Sequence, residues 1–270
     1  MGAVRRWPAG RAFRVAMAAA LVGLASAAWA SEAGEHAGEE HGVLLLHQIP
    51  GLEHAPPHVV GSIFVALLVM ALGWFGTAGI RSGRAGIVPA ARLNAQNIVE
   101  ILVETTLGFL QSIIGHEGRR YLPLIGTLAF FILFSNLLGL VPGFLPPTGN
   151  FGTTATLAVV VFLVYQYVGI RQNGFGYIKH FLGPVWWIAP LLFVIEVFSH
   201  LVRPVSLSIR LYANMFADHQ VVGVFLALVP LVLPVALMAL GLLIAFIQTL
   251  VFCLLSTIYI AGAVAHEDEH

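Results

Sequence analysis

Long apolar segments leave this chain few possible architectures. They lie at about 58–79, 122–145, 153–170, 184–202, 205–229 and 234–264, and each is close to the length that a helix needs to cross a bilayer. Charged residues make up 10% of the chain, whereas soluble domains have about a quarter. The sequence therefore predicts an all-α polytopic membrane protein.

Residues 1–30 have the pattern of a secretory signal peptide. Four arginines precede an Ala-rich apolar stretch that ends in AWA (28–30), an A-x-A-like cleavage site. A retained signal anchor is the alternative. Residues 31–57 begin with the polar, acidic sequence SEAGEHAGEEHG, which predicts a disordered tail on the outer side of the membrane.

Basic side chains predict which loops face the cytoplasm. Beyond the N-terminal segment they concentrate at 81–92, 119–120 and 171–179, and the positive-inside rule assigns such loops to the cytoplasmic side. The uncharged connections at 146–151 and 229–234 are then outside. This alternation requires the mature N-terminus to be outside and the C-terminus to be cytoplasmic.

The same alternation gives about five crossings, because residues 184–229 must then cross only once. The predicted crossings, within one membrane-embedded domain over 58–270, are 58–79, 122–145, 153–170, 184–229 and 234–264. Residues 92–115 have a different pattern, with polar side chains on one helical stripe at Asn97, Glu100, Glu104 and Gln111. This stripe is typical of an amphipathic helix that lies at the membrane surface.

Residues 184–229 are too long for an upright crossing. A helix of about 45 residues would be near 68 Å long at 1.5 Å per residue, about twice the roughly 30 Å hydrocarbon core. The segment must therefore tilt, kink at Pro204, or both. With residues 234–264 it predicts a long, tilted C-terminal helical hairpin.

This long segment carries a polar face centred on Arg210. At 100° per residue, nearly all of its polar side chains share one broad face, and six of them fall within about 80° of Arg210: Glu196, Ser199, Arg203, Ser206, Asn214 and Asp218. His219 points about 180° away. Lipid would not tolerate such a face, so it is expected to face water or a partner. Gln248 is as far beyond Val229 as Arg210 is before it, so the two are expected at similar depth in the hairpin.

Two interpretations of this face are open from the residues alone. Arg210 and Asp218 or Glu196 could form a buried ion pair, although such pairs often fail to offset desolvation. The alternative is an ion path, since carboxylates and imidazole exchange protons when their pKa values are tuned. Arginine stays charged and suits a fixed barrier or counter-charge.

Three stretches of the sequence resemble one family closely. They are FSNLLGLVPG (134–143), PVSLSIRLYANMFA (204–217) and QTLVFCLLSTIYIAGAVAHEDEH (248–270). They are similar to the a subunit of F-type ATP synthases, and the resemblance runs from about residue 45 onward. It implies a non-catalytic stator subunit in a bacterial plasma (inner) membrane, with two aqueous half-channels for H+ against a rotating c-subunit ring. The b subunits of the peripheral stalk are further implied partners. Glu100 and Glu104 are expected to form a solvated face, which could also dock that stalk.

The resemblance also implies roles for individual residues. Arg210 matches the essential stator arginine, and Gln248 matches a glutamine that faces it. Glu196 and Asn214 match polar positions of the proton path, and Ser199, Ser206 and Tyr259 are possible lining residues. The chain departs from several members that have glutamate at 219 and histidine at 241, since it has His219 and Gly241. His219, helped by Asp218 or water, is expected to relay protons in the outer half-channel.

Other functional classes have weaker support. HEDEH (266–270) matches the zinc-protease pattern H-E-x-x-H, but its three consecutive acids indicate a solvated segment. The N-terminal histidines at 36, 41, 47, 54 and 58 follow no metal-site spacing, and Lys179, the only lysine, lacks a Gly-rich approach. No cofactor, metal or nucleic acid is therefore expected, and ATP chemistry is assigned to other subunits. A Na+-coupled version, a self-contained transporter or channel (which would be expected to show internal repeats) and a purely structural anchor are the alternatives.

Overall fold

The computed structural model describes five stretches of the chain, namely residues 56–81, 95–141, 144–173, 189–228 and 232–264. The predicted signal peptide (1–30), the predicted outer tail up to residue 55 and the HEDEH segment lie outside the described residues. So do most of the basic 81–92 connection and the start of the 229–234 turn.

The described residues form α-helices joined by short turns, and they contain no strand. The six helices are α1 Pro57–Arg81, α2 Ala95–Ile114, α3 Leu122–Gly139, α4 Phe151–Asn173, α5 Ala189–Leu228 and α6 Val232–Val264. Short 3-10 helices precede α3 and α4, at Gly115–Arg120 and Pro147–Gly149. The predicted all-α class is confirmed.

Five of these helices are long and apolar enough to cross a membrane, which confirms the polytopic class. The candidate spans are Pro57–Trp74, Leu122–Gly139, Phe151–Gln172, Ala189–Phe225 and Pro234–Val264. α2 has no such span within its described residues. It buries Leu110 completely against the other helices and exposes Glu104 and Gln111, so it is amphipathic, as its polar stripe predicts.

α5 and α6 are the longest helices, and they pack against each other and against α4. α5 has 40 residues, which corresponds to about 60 Å at 1.5 Å per residue. Pro204 lies inside α5, and the helix continues on both sides of it although proline supplies no backbone N–H. A helix about twice as long as the roughly 30 Å hydrocarbon core must lie at an angle to the membrane normal.

The core of the molecule lies between α5, α6 and the helices behind them. One buried cluster joins α3, α4, α5 and α6, and consists of Leu128, Ile132, Ala158, Val161, Leu207, Leu211, Met215 and Phe252. The opposite sides of the two long helices expose large apolar side chains, such as Phe198 and Ile209 on α5 and Leu243 and Phe246 on α6. The hairpin is therefore fixed on one side by the protein and has its other side available to lipid or a partner.

A buried polar contact fixes the end of α3 against α6. Thr148 Oγ1 donates to Asn136 Oδ1 at 2.7 Å, and Asn136 Nδ2 donates to the carbonyl oxygen of Ala245 at 3.5 Å. Both side chains are buried. Gly139 allows the turn to close tightly here, because an added Cβ would lie 2.7 Å from the Cβ of Pro146. The FSNLLGLVPG stretch thus sets how the α3–α4 connection meets the hairpin.

Replacing Asn136 with leucine is expected to lower the free energy of unfolding by about 1–3 kcal/mol, because the Thr148 hydroxyl loses its acceptor in a buried site. A lower Tm of the purified chain in detergent would report this loss. Ser112→Ala is the control, since the Ser112 hydroxyl is exposed and bonds only within α2, to the Phe109 carbonyl. An N136L variant with the Tm of the wild type would contradict this role for Asn136.

Candidate functional site

The polar face of α5 lies along the boundary between the side of the helix that packs in the core and the side that is exposed. Leu207 and Leu211 are buried, whereas Arg210 between them is exposed. Leu207 and Leu211 lie about 60° and 100° from Arg210 around the helix, so Arg210 is beside the buried direction and its side chain lies at the exposed edge. Farther along the helix, Ser199 and Asn214 are exposed, and the half-buried residues are Glu196, Arg203, Ser206 and Asp218.

Arg210 has no hydrogen-bond or ion-pair partner among the residues that the structure describes. The carboxylate of Glu196 instead pairs with His200, and that of Asp218 lies against Gly241. The buried ion pair that the sequence left open does not form in this part of the chain. The guanidinium charge of Arg210 therefore faces outward, with no neutralising group from the described helices.

Gln248 does lie near the middle of the α5 polar face, as its distance from the turn predicts. Its side chain is 4% exposed, and its Oε1 accepts a hydrogen bond from Asn214 Nδ2 at 2.6 Å. The glutamine therefore bonds the residue one helical turn beyond Arg210, and not Arg210 itself. This contact holds α5 and α6 together at that depth and fixes the rotation of the face that carries Arg210.

Asp218 fits into a space that exists only because residue 241 is glycine. A Cβ added at Gly241 would lie 2.6 Å from Asp218 Oδ2 and 3.1 Å from Oδ1. A Cβ essentially never comes within 3.0 Å of such an atom, so any other residue would displace the carboxylate. Glycine at 241 offers no ionisable partner for His219 from α6. The carboxylate of Asp218, on α5, occupies the space beside that position of α6.

His219 lies in different surroundings, as its opposite direction on the helix predicts. It lines a cavity of about 80 Å³ together with His58 at the start of α1 and Asn150 at the start of α4. A cavity of that size has room for several water molecules. Asp218 is not part of this lining. The two adjacent residues therefore face separate environments.

His58 is a site residue that sequence analysis missed. It was grouped with the N-terminal histidines, and nothing in the spacing of those residues places it near His219. That His58 lines the same cavity as His219 depends on how α1 packs beside the Pro147–Gly149 turn, which the periodicity of one helix does not define. A histidine in the first turn of a predicted crossing was the available signal.

A second polar cluster lies near the opposite end of α5. Glu196 Oε1 is 3.2 Å from His200 Nε2, and His200 Nδ1 is 3.1 Å from the hydroxyl of Tyr165 on α4. The guanidinium of Arg203 lies over the ring of Tyr259, 5.4 Å from its centroid.

The two carboxylates lie on opposite sides of Arg210 along α5. At 1.5 Å per residue, Glu196 is about 21 Å from Arg210 towards the start of the helix, and Asp218 is about 12 Å from it towards the end.

The polar groups along α5 could take up, carry and release protons. Groups that can bind and release protons lie towards both ends of α5, and a permanent cation lies between them without a partner from the described helices. The described residues include no group of three or more His, Cys, Asp or Glu side chains that could hold a metal ion. Such a site is suited to carrying protons or other cations in two separate steps along one helix face.

Comparisons with known proteins point to one family. The model of a family described as ATP synthase A chain matches residues 59–261. ATP synthase subunit a 2 of Syntrophotalea carbinolica is 50% identical over 203 residues, which cover 75% of this chain and 84% of that protein. ATP synthase subunit a of Bdellovibrio bacteriovorus is 42% identical over 220 residues, covering 81% and 96%. The corresponding protein of Geobacter sulfurreducens is 44% identical over 208 residues, covering 77% and 86%.

Proposed function

Because the chain belongs to the ATP synthase A chain family, we propose that it is the proton-translocating stator subunit of a rotary ATP synthase. The observation that carries the proposal is Arg210, an exposed cation without a partner among the described residues, between two clusters of titratable side chains. A charge near the bilayer centre costs roughly 2.5–3.5 kcal/mol or more. A charge at that cost is expected to interact with an opposite charge on another subunit. We assign that role to a carboxylate on the ring of c subunits as it moves past Arg210.

The outer half-channel leads through the cavity that His219 and His58 line. Protons enter the cavity from outside and reach the exposed face of α5 by way of His219 and the Asp218 carboxylate. The support for this path is the volume of the cavity, about 80 Å³, which has room for water beside two imidazole rings. Asp218 lies beyond the cavity, nearer to Arg210 along the helix.

The inner half-channel begins at Glu196, towards the end of α5 that the positive-inside rule places near the cytoplasm. Ser199 and Ser206 line the face between Glu196 and Arg210, and Tyr259 lies beside Arg203. The two half-channels are offset, because Glu196 and Asp218 are separated by about 33 Å along the helix.

Arg210 keeps the half-channels apart. Its charge repels a proton that would cross directly, and it stabilises the ionised form of the ring carboxylate that moves past it. A proton therefore completes the crossing only by travelling on the ring. Each charge that crosses 100 mV makes available about 2.3 kcal/mol. The Asn214–Gln248 hydrogen bond holds the hairpin so that Arg210 faces the ring.

The rest of the complex supplies what this chain lacks. ATP chemistry takes place on other subunits, and the b subunits of the peripheral stalk dock on α2, whose Glu104 is exposed. The protein lies in the bacterial plasma membrane, with its mature N-terminus outside and its C-terminus in the cytoplasm. H+ is the coupling ion, with Na+ as the alternative.

ATP-driven acidification of inverted membrane vesicles tests the proposal and the choice of ion. We expect vesicles that contain the complex to acidify in Na+-free buffer, and a ring of small hairpin proteins to co-purify with the tagged chain. Vesicles from cells that lack the chain are the control. Acidification that requires added Na+ would assign the Na+-coupled version. Ion transport by the purified chain without ATP or a ring would refute the stator assignment.

A further inference from the structure

The cavity that His58 and His219 line has no acidic side chain of its own to attract protons. Among the described residues around it, these two histidines are the only titratable groups, and Asn150 and Gln220 supply neutral amides. The carboxylate of Asp218 is not part of the lining. A charge that concentrates protons at the cavity therefore lies elsewhere in the chain.

The charged residues of the outer segments are concentrated in one place. The outer connections 146–151 and 229–234 contain no charged residue. Residues 31–55, which lie outside the described residues, contain no lysine or arginine but five glutamates and four histidines, namely Glu32, Glu35, Glu39, Glu40 and Glu53 with His36, His41, His47 and His54. All nine can bind and release protons.

This N-terminal segment is joined directly to the wall of the cavity, because Pro57 is itself part of the lining. A chain spans at most about 3.6 Å per residue. Whatever path the chain follows, the Cα of His54 therefore lies within about 11 Å of that of Pro57, and the Cα of Glu53 within about 14 Å. The Debye length is about 10 Å at 0.1 M salt, so these groups act at the cavity even when salt is present.

Free protons alone supply such a cavity slowly. At pH 8 their concentration is about 10⁻⁸ M, and a diffusion-limited rate constant of about 10¹⁰ M⁻¹ s⁻¹ delivers roughly 100 per second. A histidine with an ordinary pKa of about 6.5 releases a bound proton roughly 3,000 times per second at the same rate constant. Histidines near the cavity can therefore pass protons on faster than the solution delivers them.

We propose that residues 31–55 are a proton-collecting antenna for the outer cavity. The glutamates make the local potential negative, and the glutamates and histidines take protons from buffer molecules and release them beside His58. The inference rests on the proposed function, because that function places the cavity and the N-terminus outside. Collection depends on the composition of the segment and on its attachment at Pro57, and not on the order of its residues.

A neutral variant, with glutamine in place of the five glutamates and four histidines of residues 31–55, tests this role. Right-side-out vesicles are loaded with ADP and phosphate, and a K+ diffusion potential drives ATP synthesis at a mildly alkaline external pH. In dilute external buffer we expect an initial rate about threefold or more below the wild type, since fields of one sign raise association rates by roughly 10- to 1,000-fold. Concentrated imidazole buffer at the same ionic strength should restore the rate, because mobile buffer then delivers the protons.

Two control variants are compared at matched amounts of assembled complex. A permuted variant, with residues 32–48 in another order, keeps the composition and should match the wild type in both buffers. Glu117→Gln should do the same, because Glu117 is exposed at the opposite end of α3 from the cavity.

Three results would overturn the inference. They are a neutral variant with the wild-type rate in dilute buffer, a neutral variant with an equal loss in both buffers, and a permuted variant that loses the rate in dilute buffer. Wild-type vesicles that make no ATP in either buffer would instead refute the proposed function.

Discussion

Replacing Arg210 with alanine is expected to abolish ATP synthesis driven by a proton gradient while the complex still assembles. Without the guanidinium charge, nothing opposes direct passage of protons between the half-channels. The repulsion of two unit charges is about 4 kcal/mol at 4 Å in an effective dielectric of about 20, which corresponds to more than a hundredfold in rate at 1.36 kcal/mol per factor of ten. Coupled synthesis in vesicles should therefore fall by about two orders of magnitude, with a passive proton leak that a ring inhibitor stops.

Arg203 provides a matched control for this experiment. It is a second arginine on the same face of α5, about two turns away, but it lies over the ring of Tyr259, whereas Arg210 has no such contact among the described residues. Arg203→Gln should lower the rate much less than Arg210→Ala. Arg210→Lys keeps the charge but loses the planar fork of donors, and an intermediate rate is expected. Wild-type coupling in R210A would refute the stator role.

The sequence predicted the parts of the site that depend on a single helix. The apolar segments located the helices, and the 3.6-residue period placed Arg210, Asn214 and Asp218 on one face, since both signals come from the geometry of one chain segment. The end of α3 differed from the predicted 122–145 crossing. That helix stops at Gly139 because a proline follows at 142 and disfavours helix in the residue before it.

Contacts between helices were predicted less well. Counting residues from the hairpin turn placed Gln248 at the depth of Arg210, but a shift of one turn, about 5.4 Å, is enough to change its partner to Asn214. The pairing of His58 with the His219 cavity and of Asp218 with Gly241 depends on how neighbouring helices rotate about their axes. A single sequence contains no direct signal for that rotation, so these contacts appeared only in the structure.

Gly241 determines whether Asp218 can keep its position, and Gly241→Ala is expected to impair coupling by about tenfold or more. The added Cβ would lie 2.6 Å from Asp218 Oδ2 and 3.0 Å from Leu140 Cδ2. These atoms are the ends of flexible side chains, so the Asp218 carboxylate is expected to move out of this space at little cost to packing, and the loss should appear in coupling and not in stability. Gly262→Ala is the control on the same helix, because nothing lies within 4 Å of a Cβ added there.

A paired exchange distinguishes a lost carboxylate from a damaged hairpin. Asp218 and a side chain at 241 compete for the same space, so Gly241→His alone should lose coupled ATP synthesis by collision, and Asp218→Gly alone by removal of the ionisable group. The double variant returns one titratable side chain to that space from α6 instead of α5. We expect it to exceed both single variants in coupled ATP synthesis, measured in vesicles with matched amounts of assembled complex. A double variant no better than the worse single one would mean that the Gly241 contact serves packing alone.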